Sequence, residues 1–201
     1  MERLQEIDIS KIEFPTDEEV ALRRQRYQQE ERNKTLRVIV PPVFAETEQS
    51  RLPVNELAQA LTWANNPQEN RRSLCLAGAT GVGKTRIAWE AIKLRYLTNG
   101  GKPFVIGAES FTRRVNFERD LMDKATGARL LLLDDLGKER MTPTAESAIF
   151  ELIRERLDQN LPTIFTTNFS PSTLISRFNQ RETGEAIARR IKEFSLCIVF
   201  E

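Results

Sequence analysis

The chain has 201 residues and carries 30 Lys+Arg against 29 Asp+Glu, with no histidine and a formal charge of +1. Such a length suits one domain of ordinary size with an N-terminal appendage, and without histidine there is no Cys/His zinc site and no Ser-His or Cys-His catalysis. Residues 1–70 hold 9 Lys+Arg against 13 Asp+Glu, and the remainder 21 against 16, so an acidic arm precedes a mildly basic body, compatible with nucleic-acid contact and equally with a neutral enzyme.

The N-terminus, Met1-Glu2-Arg3-Leu4-Gln5-Glu6, lacks an apolar signal core. No stretch approaches the ~20 apolar residues of a membrane span, so a cytoplasmic protein with no membrane partner is expected. Residues 1–15 are polar and aperiodic. Thr16 and Glu19 form a capping box that opens a mostly charged helix to about Asn33, exposed or awaiting a partner. Val38 to Phe44, interrupted by Pro41-Pro42, reads as an extended linker. The apolar spacing of Leu57, Ala58, Leu61 and Ala64 marks a helix over 52–63, ended at Asn65-Asn66-Pro67. This divides the chain into a helical partner-binding arm, 1–40, and an ATPase body, 41–201.

From Arg72 the pattern alternates. Strands are expected at 73–77, 103–107, 130–133, 163–167 and 196–200. Between them lie helices at 84–98, 110–124 and from Pro143 to about Gln159, where Thr142 is the N-cap, then two short ones at 171–178 and 184–193. Cys75 and Cys197, both in strand-like runs, read as reduced core thiols. The arrangement is α/β: a five-stranded parallel sheet with helices on both faces and its ligand at the strands' carboxyl ends.

Gly78-Ala79-Thr80-Gly81-Val82-Gly83-Lys84-Thr85 fits G-x-x-x-x-G-K-[ST] between a strand and a helix. Glycines there let backbone N–H groups converge on phosphate oxygens, reinforced by the positive end of the following helix. Lys84 would reach the β- and γ-phosphates of ATP and Thr85 would ligate Mg²⁺. Where the third strand ends, Asp134 is placed for the metal and Asp135 to orient or deprotonate the attacking water. Asn168 ends the fourth strand, where its amide would meet the γ-phosphate and the water, or else cap the next helix.

The order of glycine-rich loop, Leu131-Leu132-Leu133-Asp134-Asp135-Leu136-Gly137 and Ile164-Phe165-Thr166-Thr167-Asn168-Phe169 resembles the AAA+ ATPases of the bacterial helicase-loader family, the DnaC/DnaI proteins, and the related IstB transposition helpers. The similarity covers about residues 41–200, including Pro41-Pro42-Val43-Phe44. It implies that Asn168 is the sensor-1 residue and that the arginine finger lies in Gly184–Ile191. Matching that pattern makes Arg190 the finger, with Arg189 a near rival and Arg177 a remoter one. A finger comes from the neighbouring subunit, because its own helix points away from its own site, and this implies a homo-oligomer. Three departures stand out. With Glu201 directly after the fifth strand, neither a counterpart of the later arginine used as a second sensor nor a helical lid is expected in this sequence. The segment between the second and third strands is short for the family. Asp135 also stands where many AAA+ proteins have Glu, so slow intrinsic hydrolysis that rises with oligomerisation or DNA is expected.

The resemblance implies an ATP-dependent replicative helicase loader whose arm grips the helicase while the bodies assemble as a spiral on single-stranded DNA. Arg113 and Arg114, with Phe111 beside them, are the leading candidates for DNA contact, and Lys138 and Arg140 come second. Other readings are an IstB-like transposition helper, a small-molecule P-loop kinase, for which no arginine-rich lid is visible, and an adaptor that binds nucleotide without hydrolysing it.

Overall fold

A computed structural model of the chain describes residues 16–66 and 72–200. It divides into two compact units, Met1–Ile39 and Val40–Glu201. In the first, helix α1 (Asp17–Ile39) opens with the expected capping box: Thr16 N donates to Glu19 Oε2 at 2.9 Å and Glu19 N to Thr16 Oγ1 at 3.3 Å. Most of its side chains are exposed, Leu22 and Tyr27 among them. The segment from Val38 to Phe44 is not extended as the sequence suggested. Val38 and Ile39 finish α1, and Pro42–Ala45 forms a single helical turn, α2. The break falls only at Val40-Pro41, where a proline disfavours helical backbone in the residue before it. Residues 1–15 of the proposed arm lie outside the described residues. Among the described residues no helix is long and apolar enough to cross a membrane.

The second unit continues through a 3-10 turn at Gln49–Arg51 and α3 (Val54–Asn65) into β1 (Ser73–Ala77) and α4 (Lys84–Asn99). Then come β2 (Phe104–Gly107), α5 (Ala108–Arg114), α6 (Leu121–Gly127), β3 (Leu131–Asp134), α7 (Pro143–Asp158), β4 (Thr163–Thr167), α8 (Pro171–Ser176), α9 (Arg181–Phe194) and β5 (Ser195–Val199). All strands pair parallel in the order β2-β3-β4-β1-β5. The uninterrupted apolar runs of β1, β3 and β4 are explained by burial on both faces. The edge strands instead expose Val105, Val199 and Cys197, so of the two expected core thiols only Cys75 is buried. Leu131 and Leu133 join a core with α5, α6, α7 and α9, while Leu132 between them points to the opposite face. On that other side α3 packs on α4, and α4 packs on β1 and β4.

One expected helix splits in two. The span 110–124 is broken between Arg114 and Leu121. At 3.6 residues per turn, a continuous helix would carry Leu121 roughly 80° around the axis from Phe111. The break lets Phe111, Leu121 and Ala125 all enter one core.

Strand order brings the ends of β1, β4 and β3 side by side. Ala77 is level with Thr167, and Leu133 with Phe165, so Gly78, Asn168 and Asp134 emerge next to one another. At β5 the chain passes so close that a Cβ on Gly78 would lie 2.7 Å from that of Phe200. A glycine is required there for packing as well as for the turn.

Candidate nucleotide site

The loop after β1 turns through two left-handed glycines, Gly81 at φ +90° and Gly83 at +97°, and Gly83 immediately precedes α4. Lys84, only 5% exposed, donates from Nζ to the carbonyls of Gly78 at 2.8 Å and Ala79 at 2.6 Å. Burial draws its ammonium below the ordinary value, while Asp135 and Asp134 pull the other way. Thr85 Oγ1 donates to Asp134 Oδ1 at 3.1 Å. The two residues expected to share a metal, 49 positions apart in sequence, are therefore neighbours in space.

Asp134 is held in turn by Thr166, whose Oγ1 donates to its Oδ1 at 2.5 Å. The same hydroxyl accepts from the Asp135 N–H at 2.8 Å. Thr166 thus fixes both aspartates, a role the sequence reading passed over. The signal was available only through register, since pairing Leu133 with Phe165 sets Thr166 level with Asp134. Asp135 itself occupies a left-handed conformation, φ +60°, unusual for a residue with a side chain and a local cost. Its carboxylate is 2.8 Å from Lys138 Nζ.

Asn168, Asp135, Lys138 and the loop from Thr80 to Arg86 line a cavity of about 650 Å³. Its remaining wall is Phe44, Glu46, Thr47, Glu48, Arg51 and Leu52. Three side chains of α4 fasten this strap. Arg86 donates to Val43 O and Lys93 to Phe44 O, both at 2.9 Å, while Glu90 accepts from Gln49 Nε2 at 2.8 Å. Phe44 also stacks on Trp89, with ring centres 5.9 Å apart. Phe44, the last residue read from sequence as a linker, is thus part of a wall of the site.

Other candidates fall elsewhere. Arg190 pairs with Asp158 at the end of α7, and Arg189 is exposed on α9. Arg177 is engaged within its own chain, donating from Nε to Gly137 O at 2.9 Å. Phe111 is fully buried and cannot stack on a base. The helix break turns it inward, and Phe117, 84% exposed, is the aromatic that reaches solvent in this region. Arg114 forks onto Glu118 at 2.6 and 2.8 Å, and Arg113 is exposed. Lys138 belongs to the cavity rather than to a separate basic face.

No family model matches the chain. It is 30% identical over 149 residues to the replicative helicase loader DnaI of Bacillus subtilis (strain 168), a match covering 68% of this chain and 46% of that protein. Solved structures share the fold. The crystal structure of DnaI superposes with a TM-score of 0.69 at 19% identity, covering 81% of this chain and 95% of that one. That of the DnaC helicase loader does so with a TM-score of 0.65 at 24% identity, covering 74% and 89%. The chain is a DnaC/DnaI-like AAA+ protein. It spans about half the length of the curated relative it matches.

The donor set fits the nucleotide and metal that an AAA+ body takes. A hydroxyl and a carboxylate within 3.1 Å of each other are hard oxygen ligands suited to Mg²⁺. The ammonium of Lys84 is buried against main-chain carbonyls that lend it no counter-charge, and a phosphate would supply one.

Proposed function

We propose that this chain is an ATP-hydrolysing loader of a replicative helicase, acting at the initiation of DNA replication in the cytoplasm. The observation that carries the reading is the Thr85–Asp134 contact beneath a glycine loop, beside a cavity that also presents Asp135 and Asn168. The likeness to DnaI supplies the partner class.

In this reading the amides of Gly78–Thr85 hold the triphosphate, and Lys84 exchanges its carbonyl partners for phosphate oxygens. Thr85 and Asp134 hold Mg²⁺, which supplies electrostatic neutralisation of the charge that develops on the phosphates. Asp135 accepts the proton of the attacking water, which Asn168 helps to orient. Lys138 must give up Asp135 for that to happen. Arg190 acts on the neighbouring protomer's γ-phosphate once it has left Asp158, and the resulting homo-oligomer is a spiral. Residues 1–40 grip the helicase and residues 41–201 form the motor. Arg113 and Arg114, with Phe117 in place of the buried Phe111, form the single-stranded DNA contact, in which an exposed ring stacks on bases.

The test is to mix the full chain with ATP, single-stranded DNA and the replicative helicase of the same source, and to weigh the products. A complex that needs ATP, and that is lost with Lys84→Ala together with nucleotide binding, supports the reading. Capture of a transposase instead of the helicase would move the chain to the IstB branch. Phosphate transferred to a small metabolite would make it a kinase, and nucleotide binding without phosphate release would make it an adaptor.

A further inference from the structure

Among the described residues, one arginine near the site does not line the nucleotide cavity and, although exposed, is bonded to the turn behind it. Arg177 follows α8. Its Nε donates to Gly137 O at 2.9 Å, an Nη lies 3.5 Å from Glu139 O, and its guanidinium sits 5.6 Å from the centre of the Phe169 ring. Gly137 closes the turn that begins with Asp135, and Phe169 is the residue after Asn168. Three facts make this turn dependent on its neighbours. Asp135 and Gly137 are both left-handed, at φ +60° and +95°. A Cβ on Gly137 would lie 2.7 Å from Phe169 and 2.8 Å from Leu174. The Gly137 N–H is taken by Glu139 Oε2 at 2.9 Å. A strained turn persists only where its surroundings over-determine it.

The same stretch of chain is fixed on its other side. Glu146, buried on α7, accepts from the N–H groups of Asn179 and Gln180 at 2.9 and 3.1 Å and from the Asn179 side chain at 3.0 Å. The connection from α8 to α9 is thereby stitched to α7.

We propose that Arg177 is a positioning residue: acting within its own subunit, it clamps the Asp135–Gly137 turn against Asn168-Phe169 and so sets where the Asp135 carboxylate points. The inference rests on the ATP-hydrolysis reading above and assigns Arg177 a job other than that of a finger. Nε is committed to Gly137 and the guanidinium face lies over Phe169, so the side chain's bonds run within its own chain. The clamp also ties α9, which carries Arg189 and Arg190, to the turn that holds Asp135, so that displacement of one is felt by the other.

The experiment uses the full chain with Arg177→Ala and Arg177→Lys. Expected for Arg177→Ala is a fall of tenfold or more in kcat with single-stranded DNA and helicase present, while affinity for a fluorescent ATP analogue stays within twofold. That retained affinity also shows that the variant folds. Arg177→Lys should stay low as well, because an ammonium cannot bond Gly137 and cover a ring at once. Amide exchange should quicken in residues 135–139 and not in 78–85. Mixing either variant with Lys84→Ala protein, which supplies intact arginines in trans but cannot bind nucleotide, should restore nothing. Recovery on mixing overturns the proposal, since Arg177 would then act from the neighbour. So does an unchanged kcat, and so does unchanged exchange across 135–139. If the parent chain hydrolyses no ATP, the function above fails, and the exchange data still decide whether Arg177 holds the turn.

Discussion

The sheet has a polar cluster at each end, and the two are built to opposite plans. At the carboxyl end Lys84, Thr85, Asp135 and Asn168 line an open cavity, with Asp134 bonded to Thr85. Their bonds are to partners that can be traded, loop carbonyls for Lys84 and Lys138 for Asp135. At the amino end Arg156, 1% exposed, is fully engaged. Its five hydrogen bonds reach Thr163 Oγ1 and the carbonyls of Ala125, Thr126, Ala128 and Pro162, at 2.7 to 2.9 Å. Thr163 N in turn bonds Ser73 Oγ at 3.2 Å. Burial lowers the Arg156 pKa to about 10, which leaves it charged at neutral pH. A buried cation whose three nitrogens are all hydrogen-bonded, four of the five acceptors being main-chain carbonyls, is a brace that ties α6 to the starts of β1 and β4. One with exchangeable partners and a cavity beside it is a binding group.

Breaking the brace should be the larger insult to stability. Arg156→Met keeps length and removes every donor, stranding several buried carbonyls at a cost of about 3 kcal/mol. For a chain of this size that corresponds to a fall in Tm of about 6–12 °C. Below the new midpoint, nucleotide affinity should be unchanged within about twofold, because no Arg156 contact reaches the cavity. Thermal melts paired with nucleotide titration check both halves, and a large loss of affinity with little loss of stability would erase the distinction between the two ends.

Thr166→Val should act the other way round. Its hydroxyl supports Asp134 and caps the Asp135 N–H, so removing it costs about 1–2 kcal/mol of stability. Partners that orient metal ligands are typically worth 10- to 100-fold in metal affinity. A loss of about tenfold in Mg²⁺-dependent ATP affinity is expected, with metal-free binding little changed. An equal loss with and without Mg²⁺ would mean that Thr166 supports the loop rather than the metal ligand.

The difference between the clusters also explains what could be read from sequence. The phosphate loop, Thr85 and Asp134 were legible because the chemistry is compressed into eight consecutive residues and the end of an apolar strand. The strands β1, β3 and β4 were legible because parallel strands buried on both faces are continuously apolar. The edge strands β2 and β5 were legible because their runs stay apolar even where Val105 and Val199 are exposed. Thr166, Arg156 and Arg177 were not, since their partners lie 31, up to 31 and 40 residues away and become neighbours only once strand order is fixed. Phe111 was misassigned for a related reason. Exposure depends on where the helix after β2 breaks, and propensity does not locate that break. The strap from Val43 to Gln49 hid behind Pro41-Pro42, which mark an interruption without saying what the segment after them covers.

The smallest effect should come from Glu139, which joins the two themes: it lies beside the nucleotide site and is as buried as Arg156. It is wholly inaccessible, with Oε2 on the Gly137 N–H and Oε1 lacking a hydrogen-bond partner. Burial raises its pKa above the ordinary 4.5, against the opposing pull of main-chain N–H groups and Arg177. A carboxyl whose pKa is raised on folding binds more protons folded than unfolded, so its contribution to stability worsens as pH rises through that interval. Glu139→Gln should therefore be the more stable form at pH 7.5, by about 1–2 °C in Tm. That advantage should shrink as pH falls through the raised pKa and vanish below about 4.5, where the parent's carboxyl is neutral in both states. Melting the two proteins side by side from pH 7.5 to 4.5 measures it, and a constant gap across the range would mean that Glu139 is not buried as a charge at neutral pH.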